Sequence, residues 1–173
     1  MTSFWKELWE YVKMILIVVV VVLIVNNFLL INAKIPSESM ENTIMTGDRI
    51  FGNRLAYMFS DPQRYDIVIF KYPDDETQLY IKRVIGLPGE TVEIREGKVY
   101  IDGSDTPLDD SFTPETPLGN YGPYTVPEGC YFMLGDNRNY SKDSRFWQNP
   151  YVEKDKILGK AVFKYFPGFK ILK

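Results

Sequence analysis

The 173-residue sequence contains no histidine and only one cysteine, Cys130. The lack of histidine excludes a Ser-His-Asp triad, a Cys-His pair and any metal site built on imidazole ligands. A single cysteine excludes an intramolecular disulfide, a cysteine zinc cluster and an iron–sulfur centre. If the chain is an enzyme, its chemistry must therefore come from Ser, Lys, Asp, Glu, Tyr, Arg or the one thiol, and we expect neither a metal nor another cofactor.

An excess of positive charge is also missing, since 20 basic residues stand against 23 acidic ones and the net charge is −3. Nucleic-acid binding is not expected, because affinity for a duplex needs a basic surface. Two smaller features point to no site. Cys130 opens an apolar run and is predicted to lie in the core, and the run from Asp74 to Glu76 lacks metal-ligand spacing and is predicted to be a solvated turn.

One long hydrophobic run is present, from Met14 to Ala33, and it contains no charged residue. As a helix these 20 residues would be about 30 Å long, enough to cross the hydrocarbon core of a membrane. Asn26 and Asn27 are unusual inside such a segment. A cleavable signal peptide ending at Ala33 is the alternative to a retained anchor.

The flanks of this run indicate its orientation. Lys6 and Lys13, together with the N-terminal amine, favour a cytoplasmic N-terminus, and Trp5 and Trp9 are typical of a membrane interface. We therefore expect a single-pass protein of the cell membrane, with residues 1–13 cytoplasmic, residues 14–33 as a transmembrane anchor and residues 34–173 extracytoplasmic.

After residue 33 the sequence changes to short apolar runs between turn signals, which is typical of a mainly β fold with antiparallel sheets. Residues 102–127 differ, because they hold five of the eleven prolines and five acidic residues with little periodicity. They are predicted to be either a surface excursion or a poorly ordered insert. The predicted strands are Arg49–Leu55, Ile67–Tyr72, Tyr80–Leu87, Thr91–Ile94, Lys98–Ile101, Cys130–Leu134 and Ala161–Phe166.

Two serines, Ser37 and Ser39, stand directly after the predicted membrane segment. Pro36 fixes one backbone dihedral and favours an extended Ile35. One interpretation is that a serine caps a helix, although neither has Glu or Gln three residues later, as a capping box requires. The other is that a serine serves as a nucleophile.

Lys82 lies in the predicted strand that begins at Tyr80, with apolar and aromatic neighbours on both sides. It is either an edge-strand lysine that blocks aggregation or a buried lysine that acts as a base. Burial lowers the pKa of a lysine and makes the neutral amine abundant enough to activate a serine. A third polar run, residues 135–145, is either a solvated hairpin turn or a network that supports such a site.

These segments, in this order behind a membrane span, resemble the bacterial type I signal peptidases, in particular the smaller Gram-positive type. The resembling motifs are Pro36-Ser37-Glu38-Ser39-Met40, Gly47-Asp48-Arg49-Ile50, the run from Tyr80 to Glu90, and the run from Gly135 to Arg145. The match covers residues 14 to about 166. It implies the antiparallel β fold that the signal peptidases share with self-cleaving repressor proteases. Gln148 departs from the pattern, because the family usually has glycine there, and this puts the local turn geometry in doubt.

The resemblance also implies roles for individual residues. Ser39 would be the nucleophile and Lys82 the general base, with Ser37 and the Ser39 N–H holding the oxyanion. Ser141 would hydrogen-bond Lys82, and Asp143 with Arg145 would support the site. The residues implied in shallow pockets for small side chains are Ile35, Pro36, Met40, Ile44, Tyr80 and Ile81.

The implied substrates are secretory preproteins, cleaved after an Ala-x-Ala pattern at the membrane surface near the secretion translocon. Two alternatives remain. A self-cleaving Ser/Lys repressor protease would need an N-terminal DNA-binding domain where this chain has an apolar run, and a non-catalytic membrane-tethered β domain would not need to keep Ser39, Lys82, Ser141 and Asp143. The basic tail formed by Lys164, Lys170 and Lys173 is expected either to lie against anionic lipid or to be solvated.

Overall fold

The computed structural model describes residues 2–172, in which an N-terminal helix is followed by two antiparallel β-sheets. Helix α1 covers Thr2–Ile24 and continues as a π-helical turn over Val25–Leu29. The strands are β1 (Leu30–Lys34), β2 (Arg49–Asn53), β3 (Ile67–Tyr72), β4 (Asp75–Gly86), β5 (Thr91–Arg95), β6 (Lys98–Ile101), β7 (Tyr121–Thr125), β8 (Cys130–Leu134), β9 (Tyr151–Glu153), β10 (Ile157–Phe166) and β11 (Lys170–Ile171).

The larger sheet has the strand order β1-β2-β10-β3-β4-β8-β9, with β11 added beside β10, and the smaller sheet has the order β6-β5-β7. Every strand pair in both sheets is antiparallel. The predicted mainly β fold with antiparallel sheets behind an apolar helix is therefore confirmed.

The apolar helix differs from the prediction at both ends. It begins at Thr2 and its helical part ends at Leu29, so that residues 30–33, predicted as part of the anchor, form strand β1 instead. The strand forms because Leu30–Lys34 pairs with β2 and buries Ile31, a gain that a few more helical residues would not provide. The segment Phe4–Leu29 is long and apolar enough to cross a membrane, and its side chains are exposed from Phe4 to Ile24. It is therefore not the buried core helix of a soluble domain.

The proline-rich segment 102–127 packs onto the domain rather than standing apart from it. Leu108 and Phe112 pack against the buried cluster between the two sheets, and Tyr121–Thr125 forms strand β7 beside β5. Strand β7 was not predicted from the sequence, because Gly122 and Pro123 disfavour a β-strand. It is an edge strand of the smaller sheet, where the missing N–H of a proline is tolerated.

Three hydrophobic clusters form the core, two along the larger sheet and one between the sheets. Cys130, predicted to be buried, lies only partly buried at the margin of the third cluster.

The tail lysines that the structure describes contact the domain: Lys164 pairs with Asp48 at 3.2 Å, and Lys170 Nζ donates to the backbone oxygen of Thr43 at 3.0 Å. Lys173 lies outside the described residues.

Two segments of this fold carry the polar residues singled out in the sequence. Residues 35–48, here called the serine loop, connect β1 to β2, and hydrogen bonds from Ile35 N to Asp48 O and from Gly47 N to Ile35 O close it at its base. Residues 135–145, here called the polar loop, follow β8. Strand β4 lies between β3 and β8, and its residues from Lys82 to Gly86 are all buried.

Candidate active site

Ser39 and Lys82 meet at the centre of the site. Lys82 Nζ donates to Ser39 Oγ at 2.6 Å and to its neighbour's backbone oxygen, Ile81 O, at 3.1 Å. Ser39 is 6% exposed and Lys82 4% exposed. Strand β4 places Lys82 next to the serine loop, so that two residues 43 positions apart in the sequence are in contact. Lys82 is thus a buried lysine and not an edge-strand one.

Burial changes the acid–base properties of Lys82. It lowers the pKa of this lysine from 10.5 to about 8, although the carboxylates of Asp143 and Asp136 oppose part of that effect. At pH 7 about one molecule in ten then carries the neutral amine, compared with fewer than one in a thousand for an unperturbed lysine. A neutral amine 2.6 Å from a hydroxyl can accept its proton.

The serine loop is anchored by its apolar residues. Ile35, Met40 and Ile44 are 3%, 0% and 0% exposed, and all three belong to the cluster against which Ile81 packs. Ser37 is exposed, and its Oγ lies 3.5 Å from Ser39 Oγ. The loop therefore presents Ser37 and Ser39 to one cleft while its apolar side chains fix it from below.

This cleft has a volume of about 620 Å³. Ile35, Met40 and Ile44, proposed from the resemblance as substrate-binding residues, lie in the core beneath it and do not line it. Sequence reasoning missed Leu79, whose place two residues before Ile81 on the same strand face was the available signal. The residues that line the cleft are Pro36, Ser37, Glu38, Ser39, Thr46, Leu79, Tyr80, Ile81, Lys82, Tyr140 and Lys142.

The polar loop is held by an ion pair and by contacts to the serine loop. Arg145 binds both carboxylate oxygens of Asp143, at 2.8 and 2.9 Å, and Asp143 accepts the Gly135 N–H at 3.0 Å. Asn137 donates its N–H to Ser39 O and its side-chain amide to the Glu38 carbonyl, both at 3.1 Å. The loop therefore fixes the backbone on which Ser39 stands, and it is not a solvated hairpin.

Ser141 does not make the expected hydrogen bond to Lys82. Its Oγ is buried and has no hydrogen-bond partner within residues 2–172. The hydroxyl packs instead against Gly135, where a Cβ would lie 2.2 Å from Ser141 Oγ and 2.4 Å from Ser39 O. Glycine at position 135 thus lets the two loops come into direct contact.

A second buried ion pair, between Arg83 and Asp136, was not assigned a role from the sequence. The guanidinium of Arg83 contacts both carboxylate oxygens of Asp136, at 2.8 and 2.6 Å, and donates to Tyr65 O at 2.8 Å. Thr43 Oγ1 donates to the same carboxylate from the serine loop. Arg83 neighbours Lys82 on strand β4, so this pair connects that strand, the serine loop and the polar loop.

The turn at Gln148 accommodates this residue without strain. Gln148 has no positive φ, so its backbone conformation does not require the glycine that the resemblance led us to expect at this position. Its N–H donates to Asp74 Oδ2 at 2.9 Å, and that of Asn149 donates to Asp74 Oδ1 at 2.9 Å. Asp74, predicted as part of a solvated turn, is exposed yet holds this loop in place.

Across residues 2–172 no group of three or more His, Cys, Asp or Glu side chains is arranged to hold a metal ion.

Comparison with known proteins finds one family and several close relatives. A family model described as signal peptidase, peptidase S26, matches residues 8–166. The chain is 39% identical over 168 residues to signal peptidase I of Leptolyngbya laminosa, covering 92% of this chain and 80% of that protein. It is 36% identical over 174 residues to signal peptidase I of Bacillus licheniformis, covering 96% and 92%. Among solved structures, the crystal structure of a signal peptidase I from Enterococcus faecalis V583 matches with a TM-score of 0.50 and 36% identity, covering 58% of this chain and 97% of that one.

Proposed function

Because the chain belongs to the signal peptidase family, peptidase S26, and is a serine endopeptidase with signal peptidase I activity, we propose that Ser39 and Lys82 form its catalytic dyad. The observation that carries this proposal is the contact of 2.6 Å between Lys82 Nζ and Ser39 Oγ. No other base is needed to activate the serine. Burial leaves enough neutral Lys82 near pH 7 to do so, and the sequence contains no histidine.

The reaction begins when neutral Lys82 takes the Ser39 hydroxyl proton as Oγ attacks the scissile carbonyl. The ammonium then protonates the leaving amine, and the signal peptide remains as an ester on Ser39. A water molecule, deprotonated by the same lysine, attacks this ester; the bond to Ser39 Oγ breaks, the Lys82 ammonium returns the proton to Oγ, and the signal peptide leaves with a free carboxylate. We assign the oxyanion to the Ser39 N–H and the exposed Ser37 hydroxyl, which lies 3.5 Å from the nucleophile.

The cleft favours small apolar side chains on the substrate. Its walls include Pro36, Leu79, Tyr80 and Ile81, and the buried Ile35, Met40 and Ile44 support them. Large side chains are disfavoured because the floor is a packed core that cannot deepen without loss of contacts. This supports cleavage of secretory preproteins after an Ala-x-Ala pattern.

The helix from Phe4 to Leu29 supports a membrane-anchored enzyme. We propose a single span with a cytoplasmic N-terminus, and a catalytic domain on the extracytoplasmic face against the lipid surface and near the secretion translocon. Strand β1 follows the helix directly and leads into the serine loop. Fewer than ten residues therefore separate the end of the apolar helix from the nucleophile, which keeps the site close to the membrane where precursors emerge.

A processing assay tests the proposal. The full chain in lipid nanodiscs is mixed with a secretory precursor that carries an Ala-x-Ala site, and mass spectrometry reads the new N-terminus. Wild type should cleave after the second alanine, and Ser39→Ala should lower kcat by roughly 10⁴-fold or more. Ser60→Ala, at an exposed serine outside the cleft, is the matched control and should cleave at the wild-type rate. Undiminished cleavage by folded Ser39→Ala would remove the dyad assignment, and a folded wild type that cleaves nothing would contradict the substrate class.

A further inference from the structure

The proline-rich segment touches both loops that build the active site. The Asp110 carboxylate binds the guanidinium of Arg138, on the polar loop, through two hydrogen bonds of 3.0 and 2.7 Å. Two residues later, the backbone oxygen of Phe112 accepts the side-chain amide of Asn42, on the serine loop, at 2.8 Å. One short stretch, residues 108–113, therefore holds two loops that are far apart in the sequence.

The same stretch completes the surroundings of two buried cations. Arg83 is 2% exposed and Arg138 is 3% exposed. The ring of Phe112 lies 4.2 Å from the Arg83 guanidinium carbon and 5.9 Å from that of Arg138. A desolvated guanidinium needs a carboxylate or an aromatic face in fixed geometry, and residues 108–113 supply one of each.

Arg138 transmits this restraint to the nucleophile. Its Nε donates to Gly135 O at 3.0 Å, and its own backbone oxygen accepts a bond from Arg145. Gly135 in turn lies so close to Ser39 O that a Cβ there would come within 2.4 Å. Because Arg138 is hydrogen-bonded to Gly135 and Gly135 packs closely against Ser39 O, a displacement of Arg138 would also displace the backbone that carries Ser39.

The stretch itself has a rigid support. Leu108 N donates to Val99 O on strand β6 at 2.8 Å, and Thr113 N donates to Asp110 O at 2.9 Å. The side chains of Leu108 and Phe112 pack against the cluster between the two sheets. The smaller sheet, which contributes nothing to the lining of the cleft, thus provides the base from which the two loops are held.

We propose that residues 108–113 form a positioning element for peptide cleavage, with Asp110 as a positioning residue that acts on Ser39 through Arg138 and the polar loop. This role rests on the proposed function of the Ser39–Lys82 dyad. It predicts a loss of turnover without a loss of substrate affinity, because neither Asp110 nor Arg138, which its carboxylate binds, lines the cleft.

The test compares Asp110→Asn with Asp110→Glu in the full chain in nanodiscs, using the precursor-processing assay well below the melting temperature. Asp110→Asn should lower kcat about tenfold or more while KM stays within twofold, since small misplacements of reacting groups cost rate in this range. Asp110→Glu keeps the charge and should recover part of the turnover. Asp105→Asn, at an exposed carboxylate outside residues 108–113, is the matched control and should keep wild-type kcat and KM.

The outcomes separate this proposal from the catalytic one. If wild type cleaves the precursor and folded Asp110→Asn keeps kcat within twofold, the positioning role is wrong and the dyad stands. If wild type does not cleave, the proposed function fails first. If Asp110→Asn does not fold, Asn42→Gly decides, because glycine keeps the positive φ of 81° at that position and removes only the bond to Phe112. A lowered kcat at unchanged KM in Asn42→Gly supports the proposal, and an unchanged kcat overturns it.

Discussion

Replacing Lys82 with methionine is expected to stabilise the folded protein while it abolishes peptide cleavage. Burial lowers the pKa of Lys82 from 10.5 to about 8. Since one pKa unit is worth about 1.4 kcal/mol, the protonated lysine costs the folded state about 3 kcal/mol at pH 7. Methionine has a similar length and carries no charge. It loses the hydrogen bonds to Ser39 and Ile81, each worth about 1 kcal/mol, so the free energy of unfolding should rise by about 1 kcal/mol.

The sign of this effect depends on pH. The folded-state pKa lies below the unfolded one, so the unfolded chain binds more protons between about pH 8 and 10.5, and wild-type stability rises with pH across that window. Below pH 8 the full cost of the buried charge is present. Above pH 10.5 it has disappeared, and only the two lost hydrogen bonds distinguish the methionine variant. The advantage of Lys82→Met should therefore shrink as pH rises and should reverse near pH 9, where the remaining cost of the charge equals the energy of the two lost hydrogen bonds.

Urea unfolding of the full chain in detergent, followed by circular dichroism at pH 7 and again near pH 10, measures both effects. Lys98→Met, at an exposed lysine on strand β6, is the control and should change the free energy of unfolding by less than about 0.5 kcal/mol. A Lys82→Met variant less stable than wild type at pH 7, or an advantage that does not depend on pH, would refute the argument. It would mean that the lysine charge is compensated in the folded protein and that the amine is not poised as a base.

Three further predictions follow from the site and the chain order. The rate of precursor cleavage should rise with pH through about 8, as Lys82 deprotonates, and should level off above it; a pH–rate profile that is flat from 6 to 9 would contradict a lysine base. Gly135→Ala should lower kcat about a hundredfold, because the new Cβ would lie 2.4 Å from Ser39 O and force the two loops apart; wild-type kinetics in this variant would show that the loops can separate without cost. A chain that begins at Leu30 should fold and lose vesicle binding in flotation assays, whereas one that begins at Ile35 also loses β1 and should unfold at lower urea; equal midpoints for the two truncations would show that β1 adds no stability.

Much of the proposed catalytic assignment could be made from the sequence. It depends on the order of residues within short segments and on the absence of histidine as an alternative base. The absence of histidine left lysine as the most available base for a serine. The spacing of Ser37 and Ser39 after Pro36, and of Lys82 within an apolar strand, could be read without coordinates. The alternation of short apolar runs with turn signals also predicted the mainly antiparallel β fold, because short apolar runs bounded by Gly, Pro and Asp are typical of strands.

The boundaries and the insert could not be read in this way. Residues 30–33 belong to an apolar run that favours helix, and only pairing with β2 and the burial of Ile31 convert them into strand β1. Strand β7 contains Gly122 and Pro123, and it exists because β5 offers an edge. Both are cases in which contacts between distant segments override a local preference.

The sequence by itself determined which groups are available for chemistry: two serines in a short loop, a lysine in an apolar strand, and no histidine to replace it. The tertiary structure decided which of these groups meet and with what acidity. Burial of Lys82 beside Ser39 depends on strands β3, β4 and β8. It also depends on Met40 and Ile44, whose side chains anchor the serine loop in the core. The tertiary structure also left the buried Ser141 hydroxyl without a hydrogen bond to Lys82 and brought Asp110 to Arg138. Such contacts join residues dozens of positions apart, so the sequence alone does not reveal them. The desolvation that lowers the pKa of Lys82 likewise depends on the atoms that the fold places around it.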